Sequence, residues 1–198
     1  MSFKPRIVAL AGSTRPASYN HALVRVAAAG AAAAGAEVTV IALADYPMPL
    51  YHQPLEEESG LPEHAARLRE LFLVHHGILL ASPEYNGSLT AVLKNALDWL
   101  SRAQPDGRSP FTNKVAAIMS ASPGALGGLR GLVHARSVLN NLGVLVLPRQ
   151  VAVPAADRAF GADGELVDEK RAVAVRALGE QLAQTTAALA VAHEGGVV

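Results

Sequence analysis

The chain of 198 residues is long enough for one domain with a sizeable core, and no Pro-, Gly- or Ser-rich linker divides it. Hydrophobic residues make up 51% of the chain, charged residues make up 17%, and the formal net charge is zero. This composition is too apolar for a disordered protein and too balanced for a nucleic-acid-binding surface. We therefore expect residues 1–198 to form a single domain with no nucleic-acid partner. The apolar content leaves room for a subunit interface, and we expect a homodimer or a homotetramer.

The absence of cysteine from the sequence excludes disulfides, thiolate nucleophiles and Cys-ligated metal centres. The histidines show no zinc-ligand spacing, so we expect no metal site. The first residues lead directly into an apolar strand pattern and lack the apolar core of a signal peptide. No apolar run approaches the ~20 residues that a membrane helix needs. We expect a cytoplasmic protein that does not bind a membrane.

Short apolar runs alternate with segments of helical periodicity along the chain. Strand patterns cover residues 6–11, 37–43, 76–81, 114–120 and 143–147. Helical patterns cover about 18–34, 62–74, 88–102, a segment between 128 and about 141, and 167–192. This alternation predicts a doubly wound α/β fold, with a five-stranded parallel sheet in the flavodoxin-like order 2-1-3-4-5.

Three smaller segments are also predicted from the residue types. Pro148 ends the fifth strand or introduces a bulge, and residues 150–153 are a candidate for pairing at the sheet edge. The acidic residues 56–58 are expected in a solvated loop, and Gly195 and Gly196 in a loose tail.

The loop after the first strand offers groups that suit a phosphate. It contains the hydroxyls of Ser13, Thr14 and Ser18, the guanidinium of Arg15 and the amide of Asn20. A helix N-terminus and an arginine both favour negative charge. The loop matches neither the dinucleotide fingerprint nor the Walker loop, which favours a terminal phosphomonoester over a pyrophosphate. Alternatively, these polar side chains only cap the helix and Arg15 is solvated.

The loop at residues 82–88, after the third strand, suits a planar heterocycle. Tyr85 is able to stack on the ring of such a ligand, and Asn86 and main-chain groups are able to form hydrogen bonds with the edge of that ring. The proline of this loop fixes one backbone angle, and its glycine permits close approach or a positive φ. The role of Glu84 stays open, because its carboxylate is suited to a hydrogen bond either with the backbone or with a partner chain. Alternatively, the segment is an ordinary turn in which Ser88 caps the next helix.

The loop at residues 120–128, after the fourth strand, contains three glycines and two serines. Such a loop lets the backbone approach a ligand closely. All three loops leave the same edge of the predicted parallel sheet. A phosphate cradle beside two ring-contacting loops at one switch point matches the position of flavin mononucleotide (FMN) in this topology.

Three motifs in this order resemble those of the NADPH-dependent FMN reductase family, which includes bacterial chromate and quinone reductases and azoreductase-like enzymes. They are residues 12–20 (GSTRPASYN), residues 83–86 (PEYN) leading to 93–102 (LKNALDWLSR), and residues 124–130 (GALGGLR). The resemblance covers about residues 5–153, and residues 154–198 carry no motif of that family.

The resemblance implies FMN as the cofactor, NADPH or NADH as the reductant, and a quinone, flavin, azo dye or chromate-like oxyanion as the electron acceptor. It also implies that the helix at 88–102 borders a subunit interface. We expect no catalytic side chain, because the cofactor carries the chemistry. The expected cofactor-binding residues are Ser13, Thr14, Arg15, Ser18 and Asn20 at the phosphate, Pro83, Glu84, Tyr85, Asn86 and Gly87 at the ribityl chain and isoalloxazine, and Ser120, Ser122 and Gly124 at the other edge of the ring.

Two other functions are compatible with the same fold. One is a non-enzymatic electron carrier of the flavodoxin type, although flavodoxins are strongly acidic and have a Thr-rich phosphate loop. The present chain has zero net charge and places Arg15 in that loop. The other is an interaction protein without a cofactor.

Overall fold

The computed structural model describes residues 3–194, with side chains through residue 190. The predicted tail at Gly195 and Gly196 lies outside these residues, and the single-domain assignment of residues 1–198 stays a prediction.

A parallel β-sheet forms the centre of the described chain. Its strands are β1 (Arg6–Ala11), β2 (Glu37–Ala42), β3 (Gly77–Ala81), β4 (Val115–Ala121), β5 (Leu145–Val146) and β6 (Val151–Val153). The order is β2-β1-β3-β4-β5, with β6 also paired to β4, and every pairing is parallel. The predicted fold class and strand order are confirmed.

The sixth strand extends the predicted five-stranded sheet. β5 pairs with Val115 and Ala116 at the start of β4, whereas β6 pairs with Met119–Ala121 at its end. Both therefore lie along the edge of β4 that β3 does not occupy, as two halves of one interrupted strand. Pro148 falls in the interruption, because proline has no N–H to donate to the ladder.

Helices cover both faces of the sheet. They are α1 (Tyr19–Ala33), α2 (Gln53–Ser59), α3 (Glu63–Val74), α4 (Ala91–Leu100), α5 (Leu129–Asn141), α6 (Ala156–Ala159) and α7 (Glu169–Glu194). Successive residues of a strand point to opposite faces. Ile7 and Ala9 of β1 therefore pack in the core with α1 and α7, whereas Val8 and Leu10 pack in a second core with α3, α4 and α5.

The prediction of a solvated loop at residues 56–58 was wrong, because these residues lie in α2. Pro54 occupies the first turn of this helix, where its fixed φ fits and its missing N–H costs no bond. Gly60, with φ of 70°, ends the helix, and its N–H donates to the Glu56 carbonyl. The short α6 was not predicted. Among the described helices, none has the length and apolarity needed to cross a bilayer.

Candidate functional site

Three loops leave the carboxyl edge of the sheet side by side. We name them loop one (residues 12–18), loop two (residues 82–90) and loop three (residues 122–128). β1, β3 and β4 are in register, so that Ala11 lies beside Ala81, and Ala81 beside Met119. The N–H of Gly12 donates to the Ala81 carbonyl at 2.9 Å, and the N–H of Ser82 donates to the Met119 carbonyl at 2.8 Å. The sheet itself thus fixes the spacing of the loops.

The three loops surround a cleft of about 70 Å³. Its lining includes eight of the residues predicted from the sequence, namely Ser13, Arg15, Ser18, Asn20, Pro83, Glu84, Tyr85 and Ser122. The other five predicted residues are not part of this lining. Thr14 and Gly124 are exposed, Asn86 and Gly87 form the tip of a turn, and Ser120 is buried beneath loop three.

Loop one presents polar groups to the cleft. The hydroxyl of Ser13 accepts a bond from the N–H of Arg15 at 3.2 Å, and Nε2 of His21 lies 3.0 Å from the Ser13 carbonyl oxygen. Ser18 is the N-cap residue of α1, and among the described residues its hydroxyl caps no helix N–H. Arg15 is exposed and makes one long bond, at 3.4 Å, to the Ala17 carbonyl. A hydroxyl, a helix start and a guanidinium therefore face the same cleft, which is a suitable environment for an anion.

Asn20 connects loop one to the end of β4. Its side-chain NH₂ donates to the Ala121 carbonyl at 2.9 Å, and its side-chain oxygen accepts from the Ala121 N–H at 3.0 Å. One N–H of the amide is left for a ligand, because an asparagine amide has two donor hydrogens. Asn20 therefore fixes the distance between two walls of the cleft.

Loop two contains a tight turn that presents Tyr85. The backbones of Tyr85 and Ser88 exchange two hydrogen bonds, at 2.9 and 3.0 Å, around Asn86 and Gly87. Both central residues have positive φ, 52° for Asn86 and 80° for Gly87, which is the pattern of a type I′ turn and of the Asn-Gly sequence. Tyr85 lines the cleft and is 54% exposed.

Glu84 joins loop two to α5. Its carboxylate accepts bonds from the Arg130 guanidinium at 2.8 Å and from the Gly131 N–H at 3.1 Å, although only 8% of its side chain is exposed. Burial alone raises the pKa of Glu84, but the bonds from Gly131 and Arg130 outweigh burial and lower it. Glu84 is therefore an ionised residue that holds the cleft wall in place.

Loop three lies over the end of β4. Gly127 and Gly128 have φ of 60° and 89°. A Cβ on Gly128 would lie 1.9 Å from Oγ of Ser120, so the loop backbone passes directly above this serine. Ser120 is fully buried, and its hydroxyl has no hydrogen-bond partner among the described residues. Ser122 lines the cleft, and its Oγ accepts from the Gly124 N–H at 3.3 Å.

Several site residues were not predicted. Tyr19, Ala121 and Pro123 also line the cleft. Thr90 is not part of the lining but bonds to the first residue of loop one. The Thr90 hydroxyl donates to the Gly12 carbonyl at 2.6 Å and accepts from the Leu93 N–H, which makes it the N-cap of α4 in place of Ser88. A threonine directly before an apolar helical repeat is a recognisable capping signal.

The histidines at the opposite edge of the sheet have structural contacts. Nδ1 of His75 lies 2.6 Å from the Leu71 carbonyl oxygen, and its Nε2 lies 2.9 Å from the Thr39 hydroxyl. Within the described part of the chain, no group of three or more His, Asp or Glu side chains is arranged to hold a metal ion.

The sequence profile of NADPH-dependent FMN reductases matches residues 5–158. The chain belongs to this family. A NAD(P)H-dependent FMN reductase from Pseudomonas aeruginosa is 36% identical over 171 residues, which cover 86% of this chain and 89% of that protein. A quinone reductase from Escherichia coli strain K12 is 33% identical over 171 residues, which cover 85% and 88%.

A solved structure agrees with these relatives. The flavoenzyme NAD(P)H:(acceptor) oxidoreductase FerB from Paracoccus denitrificans superposes with a TM-score of 0.75 at 26% identity, covering 92% of this chain and 97% of that one. The family match includes all three loops of this FMN reductase family member and ends within α6. It therefore leaves out α7, which contributes to the core beside α1.

Proposed function

We propose that this protein is an FMN-dependent NAD(P)H oxidoreductase that passes electrons to quinones. The observation that carries the proposal is the convergence of the three loops of an FMN reductase family member on one cleft with a cationic, hydroxyl-rich end. The relatives named as FMN reductase and quinone reductase support the same reaction class.

The donors of loop one fit the phosphate of FMN. Ser13, Ser18 and Arg15 supply hydroxyls and a guanidinium, and the first turn of α1 supplies backbone N–H groups. The cleft of about 70 Å³ is smaller than the ~300–1,000 Å³ of pockets that enclose a drug-sized ligand. We therefore assign the cleft to the phosphate end of FMN, and the open surface between Tyr85 and loop three to the ring.

Bound FMN would supply the redox chemistry, accepting hydride from the nicotinamide and returning electrons to an acceptor. The chain supplies binding and orientation. Arg15 neutralises phosphate charge, Asn20 and Glu84 hold the walls at a fixed separation, and the exposed Tyr85 contacts the ring or a substrate beside it. We propose no catalytic side chain.

Quinones are the proposed acceptors because the relatives are named for reduction of quinone or of FMN. Free flavin, azo dyes and chromate-like oxyanions belong in the same acceptor panel. A homodimer or homotetramer and a cytoplasmic location stay predictions, to be checked by light scattering and by cell fractionation.

The test is to purify the protein, measure FMN binding by quenching of flavin fluorescence, and follow NADPH and NADH oxidation with each acceptor. We expect stoichiometric FMN and oxidation that depends on added quinone. FMN binding without quinone-dependent oxidation would favour the flavodoxin-type carrier, and absence of FMN binding would favour a protein without a cofactor.

A further inference from the structure

Loop one is held in place by hydrogen bonds that involve side chains. Among the described residues, no backbone–backbone hydrogen bond involves residues 13–17. Nε2 of His21, in the first turn of α1, lies 3.0 Å from the Ser13 carbonyl oxygen. A carbonyl oxygen only accepts, so Nε2 carries the hydrogen and donates it. His21 therefore closes residues 13–21 into one hydrogen-bonded loop.

The two peptide groups that flank Ser13 are both bonded to side chains outside the cleft. On one side, the Thr90 hydroxyl donates to the Gly12 carbonyl at 2.6 Å. On the other side, His21 donates to the carbonyl of Ser13 itself. Ser13 lines the cleft, whereas His21 and Thr90 are not part of the lining. Two carbonyl oxygens of loop one, whose negative partial charge would repel a phosphate, are therefore bonded to residues outside the lining.

The position of Ser13 also bears on Arg15. Oγ of Ser13 accepts a hydrogen bond from the Arg15 N–H at 3.2 Å. The guanidinium of Arg15 makes one long bond, at 3.4 Å, to the Ala17 carbonyl. A displacement of Ser13 therefore changes the position of the cation that we assign to the phosphate.

We propose that His21 and Thr90 are positioning residues for the FMN phosphate, which fix Ser13 before the cofactor binds. This inference rests on the proposed function, because it places the phosphate at loop one. Neither side chain lines the cleft, so both act on FMN through Ser13 and Arg15. A preformed loop strengthens binding, because less conformational freedom is then lost when the ligand binds.

The test compares the affinities of FMN and of riboflavin, which differ only in the phosphate, by flavin fluorescence titration. His21→Leu removes the donor, and we expect it to weaken FMN binding about three- to tenfold and to leave riboflavin binding unchanged. His21→Gln offers a side-chain N–H in its place and is expected to restore most of the FMN affinity. A residue that only stabilises the fold would change both affinities alike.

His64→Leu is the matched control, because His64 lies in the first turn of α3 and is not part of the cleft lining. It should leave the ratio of the FMN and riboflavin affinities at the wild-type value. Thr90→Val and Thr90→Ser form a second pair, which serves if His21→Leu folds poorly. We expect the valine variant to lower the ratio about three- to tenfold and the serine variant, which retains a hydroxyl, to preserve it.

The possible failures of this inference and of the proposed function are distinguishable. A wild-type ratio in folded His21→Leu or Thr90→Val, or equal losses in the leucine and glutamine variants, would overturn the positioning role and leave the FMN-dependent reductase in place. Wild-type protein that binds no FMN would overturn the proposed function and this inference together.

Discussion

Arg15 carries the only side-chain charge among the loop-one residues that line the cleft. Its guanidinium is exposed and makes one long internal bond, so most of its donors are available for a phosphate. We predict that Arg15→Ala weakens FMN binding by about 1.5–3 kcal/mol, the range of one charge-assisted contact. Fluorescence titration measures the change.

Arg25→Ala is the control for Arg15→Ala, because Arg25 is an exposed residue of α1 outside the cleft lining. It should leave the FMN affinity unchanged. The same affinity in Arg15→Ala and the wild-type protein would refute the assignment of loop one to the phosphate.

We expect the buried Lys114 to make the stability of the protein depend on pH. Burial first, and then the charge of Arg6, lowers its pKa from 10.5 to about 8. Between these values the unfolded state binds more protons than the folded state, so the free energy of unfolding rises as the pH increases. At ~1.4 kcal/mol per pKa unit, the full rise is about 3.5 kcal/mol.

We therefore predict that Lys114→Met abolishes most of this rise, measured by urea unfolding at a series of pH values from neutral to about 10. Lys170→Met, at an exposed position, should retain it. A rise of the same size in Lys114→Met would show that other groups cause the pH dependence.

Residue types predicted the cleft better than they predicted individual contacts. Hydroxyls, arginine and amide in loop one indicated a phosphate site, and Ser13, Arg15 and Ser18 do line the cleft. The sequence did not indicate that Asn20 would bond to Ala121, 101 residues away. Nor did it indicate that Ser120 would lie beneath Gly128, because side-chain burial depends on the path of loop three.

At the scale of elements, α5 and loop three depend on a close backbone approach. Gly128 has φ of 89°, and a Cβ there would lie 1.9 Å from the Ser120 oxygen. Gly143 has nearly the same φ, 86°, but nothing lies within 4 Å of its Cβ position. Alanine substitution at each of these two glycines therefore separates the cost of backbone strain, ~1–2 kcal/mol, from the cost of steric overlap.

We predict that Gly128→Ala destabilises the protein by about 1–3 kcal/mol more than Gly143→Ala, and that it alone weakens FMN binding. Chemical unfolding and FMN titration measure the two effects. Ser120→Gly in the Gly128→Ala background should recover part of the loss, because it removes the overlapping atoms. Equal destabilisation by the two alanine variants would mean that loop three moves freely to accommodate a side chain.

The long elements were predictable because their periodicity is strong, whereas the short ones were not. The β-branched run of β1 and the apolar stripe of α4 indicated their structures directly. The acidic residues of α2 suggested a loop, because an exposed two-turn helix has no apolar stripe to reveal it. The sequence predicted only that residues 150–153 pair at an edge of the sheet. The break at Pro148 hides the fact that β5 and β6 are two halves of one strand beside β4.

For the whole molecule, the parallel order of the sheet determines where the site lies. The alternation of strands and helices predicted this order, and the order brings three polar loops to one edge. Residues after 154 carried no motif, yet α7 packs so closely on α1 that a Cβ on Gly179 would lie 1.9 Å from the Ala27 carbonyl oxygen. This contact is invisible in the sequence, because small residues in a helix predict neither the partner nor its distance.

The most direct test of the central claim is an anaerobic titration of the FMN-loaded protein. We predict that NADPH or NADH bleaches the flavin absorbance within the turnover time, and that a subsequent addition of quinone restores it, over repeated cycles. A flavin that stays oxidised in the presence of both nicotinamide nucleotides, in a protein that binds FMN stoichiometrically, would contradict the assignment as an NAD(P)H oxidoreductase.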